Sequence, residues 1–407
     1  MGSSDTGRRN LFAVAAATFV GFAGFTLVMP FLPLYLRQLG VADDGEVALW
    51  AGLSLGATPA ITAVLAPIWG RVADRLGRKL MIERSLVSFV IVMSAMAYVS
   101  AAWHVFALRV VQGFFAGYGP LALTMAAESA PPGRMARAIG TVQTAQRLGP
   151  ALGPVIGGVV AQIVGVRRAF FVAAAFYALA FFLVLFLYHE PPRAAAAVRT
   201  AGGDRRPGLR ALAGLEGVPL FLAVIFWVQF ADRSVGPILP IYLERIGVGT
   251  DRVALLAGTL FTVMAGSAAL GNTVCPALLR RWPSWAVVAG AAGAGALATF
   301  FLAAAAGLAS VTATTVLFGF ATGTALTAAY TTAGGRFPAS ARGAGFGVLT
   351  SASLTALAVS PVASGALAAL HIRAVFVLDT LALGVLAVLV WRARWRDARP
   401  GVAAAQP

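Results

Sequence analysis

Uncharged stretches long enough to cross a bilayer recur from one end of this chain to the other, and no other feature limits its fold as strongly. Residues 11–36, 48–70, 85–108 and 110–127 each hold no Asp, Glu, Lys or Arg. Residues 138–166 are interrupted only by Arg147, and 169–189 are clean. Residues 217–243 are broken by Asp232 and Arg233, 253–279 are uncharged, and 282–335 are long enough for two crossings turning near 307–310. Residues 343–370 and 374–391, the latter holding Asp379, complete twelve. About 20 apolar residues span a bilayer as a helix. Backbone groups in hydrocarbon need internal partners, so these runs are expected to be helices. The 11% of charged residues lies far below the roughly 25% of a soluble domain. An apolar content of 59% excludes a disordered chain.

The net charge of +16 suggests a nucleic-acid partner until its residues are placed. With a cytoplasmic N-terminus, 22 of the 31 Lys and Arg fall in cytoplasmic segments and only six in outer loops. Arg109, Arg147 and Arg233 lie inside spans. The basic excess therefore reads as topology, with both ends cytoplasmic and no nucleic-acid partner. The first span is too long for a signal-peptide core and is expected to be retained. Cys275 is the single cysteine, which excludes an intrachain disulfide and a cysteine metal site. No Gly-x-x-x-x-Gly-Lys-Ser/Thr loop is present, so ATP is not expected as the direct energy source.

The chain repeats itself. Pro33-Leu34-Tyr35-Leu36 matches Pro240-Ile241-Tyr242-Leu243 at an offset of 207, as do Gly140 with Gly347, Pro154 with Pro361 and Gly158 with Gly365. These matches divide the chain into a six-helix bundle over 1–189, a polar cytoplasmic linker over 190–216, a second six-helix bundle over 217–391 and a cytoplasmic tail over 392–407. Parallel repeats of this kind place a binding site near the bilayer midplane, between the halves. One chain supplies both halves, so a monomer suffices.

Three motifs carry a family resemblance. The loop Gly70-Arg71-Val72-Ala73-Asp74-Arg75-Leu76-Gly77-Arg78-Lys79 sets one acid among several bases in a Gly-bounded turn. Leu108-Arg109-Val110-Val111-Gln112-Gly113 places Arg109 and Gln112 three apart, on one helix face near the outer end of the fourth span, where a long side chain can snorkel. In Gly149-Pro150-Ala151-Leu152-Gly153-Pro154-Val155-Ile156-Gly157-Gly158, the glycines at 149, 153 and 157 make a smooth face for another helix. Pro150 and Pro154 favour bending. The loop resembles the signature of the major facilitator superfamily, and the fifth-span motif resembles its drug–proton antiporter group of bacterial multidrug exporters. The resemblance implies an all-α membrane protein of twelve helices in two pseudo-symmetric six-helix bundles. It also implies that Gly70, Asp74, Arg75, Gly77 and Arg78 latch the cytoplasmic side, Asp74 meeting the start of the eleventh helix, where the dipole is positive. It implies proton coupling at Arg109 and export.

Charges inside spans are costly and usually functional. Arg147, near the middle of the fifth span with Gln143 one turn away, is a candidate contact for an anionic or zwitterionic substrate, or an internal partner of Asp232 or another acid. Asp232 is the first candidate proton carrier and Asp379 the second; the first span holds no acid. Gln112, Gln229, Arg233, Trp227 and Phe25 complete the candidate substrate set, while Glu83 and Glu128 read as gate salt bridges. The expected function is an inner-membrane secondary transporter working by alternating access on small amphipathic compounds, driven by the proton gradient without a cofactor or metal. It is not expected to be an enzyme. An uptake transporter of the same fold and a lipid or lysolipid flippase are the alternatives, and the substrate cannot be read from the residues.

Overall fold

A computed structural model describes residues 3–130, 135–190, 217–337 and 342–393. The linker and tail expected at 190–216 and 392–407 lie outside the described residues except for Glu190, Arg392 and Ala393. Among the described residues there are helices and no strands. In the N-terminal half they are α1 (Ser3–Leu27), α2 (Leu32–Gln38), α3 (Asp44–Leu76), α4 (Arg78–Met96), α5 (Ala102–Phe115), α6 (Tyr118–Ser129), α7 (Met135–Val164) and α8 (Val166–Leu187). In the C-terminal half they are α9 (Val218–Ser234), α10 (Leu239–Arg245), α11 (Thr250–Arg281), α12 (Ser284–Ala304), α13 (Leu308–Gly334), α14 (Arg342–Leu370) and α15 (Ile372–Ala393).

Ten helical stretches among the described residues are long and apolar enough to cross a membrane, or eleven when α9 and α10, bent by 50°, count as one. α4, where the third expected span begins, is not among them. Its first two turns carry Arg78, Lys79, Glu83 and Arg84, which leave only its second part uncharged. Large apolar side chains stand exposed along the helices, Ile163 at 76% and Phe186 at 65% among them, as lipid-facing surfaces require.

The third and fourth spans differ from expectation. The uncharged run 85–108 contains a helix end: α4 stops at Met96, and the uncharged turn 97–101 leads into α5. The fourth span thus starts at Ala102 and continues to Ser129. It breaks at Gly117, whose φ of 131° ends the α5 ladder. Carbonyls near the break must find donors where no water reaches, and neighbouring side chains supply them. Trp69 Nε1 donates to Phe114 O at 2.7 Å, and Ser85 Oγ and Arg84 Nη2 donate to Phe115 O at 2.6 and 3.2 Å.

The chain packs into two compact units that do not follow the two sequence halves. The first lies within Met1–Ala201, Val235–Thr262 and Pro361–Leu370; the second lies within Gly202–Ser234, Val263–Ser360 and His371–Pro407. In the first unit α1 packs on α7 and α8, α3 on α5, and α4 on α8. In the second, α12 packs on α13 and α15, and α9 packs on both of these as well.

Candidate functional site

In the first unit, the ends of α11 and α14 close against α7 and α3. A Cβ on Gly52 would overlap Pro361 O, and one on Gly258 would overlap Pro154 O. Gly365 lies against Ala48, and Gly158 against Ala254, with equal lack of room. Pro154 with Pro361 and Gly158 with Gly365 are the repeat partners at offset 207, and Gly52 with Gly258 and Ala48 with Ala254 sit at offset 206. Exchanging the halves turns each contact into its mate, the signature of a pseudo-twofold interface.

At the same end Arg37 Nε lies 3.1 Å from Glu244 Oε2. Arg37 also pairs with Asp44, whose other oxygen takes Arg245 Nε at 2.8 Å. Arg37 and Glu244 are themselves repeat partners, being the residues that follow Pro33–Leu36 and Pro240–Leu243. Residues that meet across a twofold repel if both keep the same charge, and here one has the opposite sign. Sequence reasoning missed this quartet; the inversion one residue beyond the repeated motif was the available signal.

The glycine face of α7 finds its partner in α1. Gly149 rests on Phe19 and Ala23, Gly153 on Ala23 and Thr26, and Gly157 on Leu27. A different side of α7 carries Gln143, Arg147, Pro154 and Gly158, separated by four, seven and four residues and so aligned along the helix. Pro154 and Gly158 are buried against the start of α11, whereas Gln143 and Arg147 are exposed. Arg147 lies about 10 Å along the axis from Pro154, at 1.5 Å per residue. One strip of the helix thus passes from a sealed contact to an open polar surface. Among the described residues no ion pair or hydrogen bond engages Arg147. An exposed guanidinium offers a fork that binds carboxylate or phosphate with two parallel hydrogen bonds. Phe25, on α1, is half-buried.

Arg109 is not at the end of its span. It sits two turns into α5 and is 2% exposed, because the fourth span begins earlier than the charge pattern implies. Snorkelling is therefore excluded. Arg109 Nη1 donates to Gln112 Oε1 at 2.9 Å, while Nε and Nη2 have no hydrogen-bond partner. Among the described residues no carboxylate lies within ion-pair distance of it. Thr58 Oγ1 fixes the Arg109 carbonyl at 2.9 Å.

The second unit holds the other charged candidates. Asp232 Oδ2 and Arg233 Nε pair at 3.3 Å, both half-buried, near the C-terminal end of α9. Trp227 and Gln229 are half-buried on the same helix, and Trp227 lies against Phe226 and Phe230 at ring-centroid distances of 5.3 and 5.1 Å. Asp379, on α15, is fully buried, and its Oδ2 lies 2.6 Å from Ser234 Oγ. A polar pair that sequence reasoning passed over joins α11 and α13, Thr327 Oγ1 to Asn272 Oδ1 at 2.8 Å. Asn272 interrupts the otherwise apolar and small-residue stretch 253–279, which was its available signal.

The stretch expected as a loop is mostly helix: residues 70–76 are the last turns of α3, Arg78 and Lys79 begin α4, and Gly77 alone makes the turn. Gly77 has φ 108°, a conformation that ends α3 and starts α4 within one residue and that only glycine adopts without strain. Gly70 has open space where a Cβ would stand, and Arg75 is exposed. Arg78 pairs with Glu128, and Lys79 Nζ lies 3.8 Å from Glu83 and donates to the carbonyls of Leu185 and Tyr188, both at 2.9 Å. The side chain of Asp74 lies outside the described residues. Among those residues no group of three or more His, Cys, Asp and Glu could hold a metal ion.

Over residues 14–315 the sequence matches the family described as the Major Facilitator Superfamily. Multidrug resistance protein MdtG of Proteus mirabilis is 33% identical over 270 residues, covering 66% of this chain and 66% of that protein. The Multi-drug resistance efflux pump PmrA homolog of Lactococcus lactis is 31% identical over 270 residues, 65% of each. The matched stretch thus spans just under two thirds of these relatives' length. Among solved structures, a bacterial homolog of the human lysosomal transporter Spinster, inward-facing and occupied, superposes with a TM-score of 0.74. It is 20% identical, over 95% of this chain and 98% of that one. A D-xylose–proton symporter superposes with a TM-score of 0.74 at 15% identity, over 97% and 98%. At these identities the structural likeness is one of fold: an all-α membrane protein.

Proposed function

The chain belongs to the major facilitator superfamily, and on that premise we propose that it is a secondary transporter that exports small amphipathic compounds by alternating access in exchange for protons. The strip of α7 that carries Gln143 and Arg147 is the observation that supports this reading. Its continuation at Pro154 and Gly158 is packed against α11, so the polar part belongs to the surface that opens and closes as the halves rock. Arg147 and Gln143 contact the substrate in this reading, with Gln229, Arg233, Trp227 and Phe25 as further lining and Gln112 as support for Arg109. The Arg37–Glu244 end faces outward, the N-terminus is cytoplasmic, and the protein works as a monomer in the inner membrane with the proton gradient as its energy source. The names of the multidrug relatives point the same way.

The test is reconstitution in liposomes under an imposed pH gradient, with ethidium as a cationic probe and a fluorescent carboxylate as an anionic one. Substrate movement accompanied by a change of internal pH is expected. In Arg147→Ala, transport of the carboxylate is expected to fall about tenfold or more at unchanged protein level. Unchanged carboxylate transport removes Arg147 from the site, and substrate movement without protons rejects antiport.

A further inference from the structure

Resting on that proton-coupled reading, we infer that Asp379 and Ser234 form the proton-holding site of the C-terminal half, and that this site grips the bend of the seventh span. Ser234 Oγ lies 2.6 Å from Asp379 Oδ2 and 2.9 Å from Ala231 O. A serine hydroxyl has one hydrogen to give, and a carbonyl can only accept. When both contacts are hydrogen bonds, Ser234 donates to Ala231 and the Asp379 carboxyl donates to Ser234. Asp379 in its acid form completes this chain of three groups. Both side chains are fully buried, and Asp379 Oδ1 has no donor, so no second hydrogen bond is available to a carboxylate there.

Neighbouring charges offer no substitute for the proton. Of the helices packed on α15, α12 has no titratable side chain along its length, and α9 has only Asp232 and Arg233, which pair with one another. On α15 itself the charged neighbours are Arg373 and Arg392, at its two ends.

The position gives the proton something to control. Ser234 is the last residue of α9, and the chain turns through residues 235–238 into α10 at 50°. The boundary between the two compact units falls between Ser234 and Val235. Ser360 Oγ, from α14, donates to Phe230 O and holds the same end of α9; the next unit boundary lies just after Ser360. On deprotonation the Asp379 O–H bond breaks and the proton leaves to water. The Ser234 hydrogen then turns to the carboxylate, and Ala231 O loses its donor. The end of α9 is thereby released at the point where the span bends.

The test uses the full chain in liposomes with ethidium, recording dye flux and internal pH together. Asp379→Asn keeps an N–H that can donate to Ser234, so it mimics the acid form. It is expected to fold, to exchange ethidium across the membrane at equilibrium, and to lose proton-driven accumulation at least tenfold. Ser234→Ala is expected to shift the pH profile of ethidium transport, which a merely structural serine would not do. Wild-type flux without proton movement overturns the proton-coupled reading itself. Proton-driven accumulation by Asp379→Asn equal to wild type overturns this inference alone and returns the role to Asp232. Should Asp379→Asn fail to fold, infrared difference spectra of Ser234→Ala and wild type between acid and alkaline solution decide. A buried carboxylic acid band that moves with Ser234→Ala supports the pair, and a band that does not move rejects it.

Discussion

Among the described residues the two halves of the chain each bury one charge-bearing side chain without an opposite charge, and they do so with opposite chemistry. In the N-terminal half Arg109 is 2% exposed and meets the side-chain oxygen of Gln112; in the C-terminal half Asp379 is 0% exposed and meets Ser234. A guanidinium cannot be deprotonated in a protein, so Arg109 presents a fixed positive charge whatever the pH. A carboxyl group can exchange its proton. The difference separates two roles that the sequence had placed together: Arg109 can set a field but cannot carry the proton, whereas Asp379 can carry it. Neither residue has its like at the repeat position, where Thr315 and Val172 stand, at offsets of 206 and 207. The asymmetry is thus built on top of the duplicated fold.

The largest effect is expected from removing the fixed charge while keeping the volume. An unpaired buried charge costs stability, and apolar replacements of buried ionic groups are often neutral or stabilising by roughly 1–4 kcal/mol. Arg109→Met should therefore melt in detergent at the wild-type temperature or above it, yet lose about tenfold or more of its proton-driven flux. A variant that melts well below wild type would make Arg109 a structural residue and dissolve the comparison with Asp379.

How much of this was legible in the sequence depends on where the signal lay. The apolar runs announced helices correctly, and the glycines at 149, 153 and 157 announced a packing face. Spacing names a face but not its neighbour, so α1 emerged only from the structure. The depth of Arg109 was misjudged because the turn at 97–101 carries no charge, leaving charge counting nothing to mark it. The Asp379–Ser234 contact joins residues 145 apart with no periodicity between them, beyond any local reading. Gly77 was the opposite case, a turn glycine that the motif already marked and that the structure places at a positive φ.

Where the buried charges differ between halves, the closed end of the first unit is nearly symmetric, and a matched pair of substitutions measures how nearly. Gly52→Ala and Gly258→Ala each drive a methyl into a proline carbonyl of the facing helix. Overpacking of this kind costs roughly 1–3 kcal/mol. Both variants should increase labelling of a cysteine introduced as Val47→Cys, at a buried position of the closed end, in a Cys275→Ser background, and by amounts within about twofold of each other, a difference of a few tenths of a kcal/mol. A response to one substitution without the other would mean that the pseudo-twofold describes the backbone but not the energetics.

The smallest expected effect tests the one place where the halves meet with inverted charge. Arg37 and Glu244 are partly exposed, at 29% and 15% of their side chains, so solvent screens them and the pair is worth about 0.5–1 kcal/mol. A double-mutant cycle isolates that term, because each single change also disturbs other partners. Arg37→Gln should open the end more than Glu244→Gln does, since Arg37 also serves Asp44. The double variant should open it by less than the sum of the two. Cysteine labelling at Val47→Cys measures each step, and raising ionic strength should shrink the coupling as the Debye length contracts. Strict additivity at low salt would reduce the inverted pair to a coincidence of position. Coupling that fades with salt would show that the duplicated halves are held at this end by opposite charges on equivalent residues.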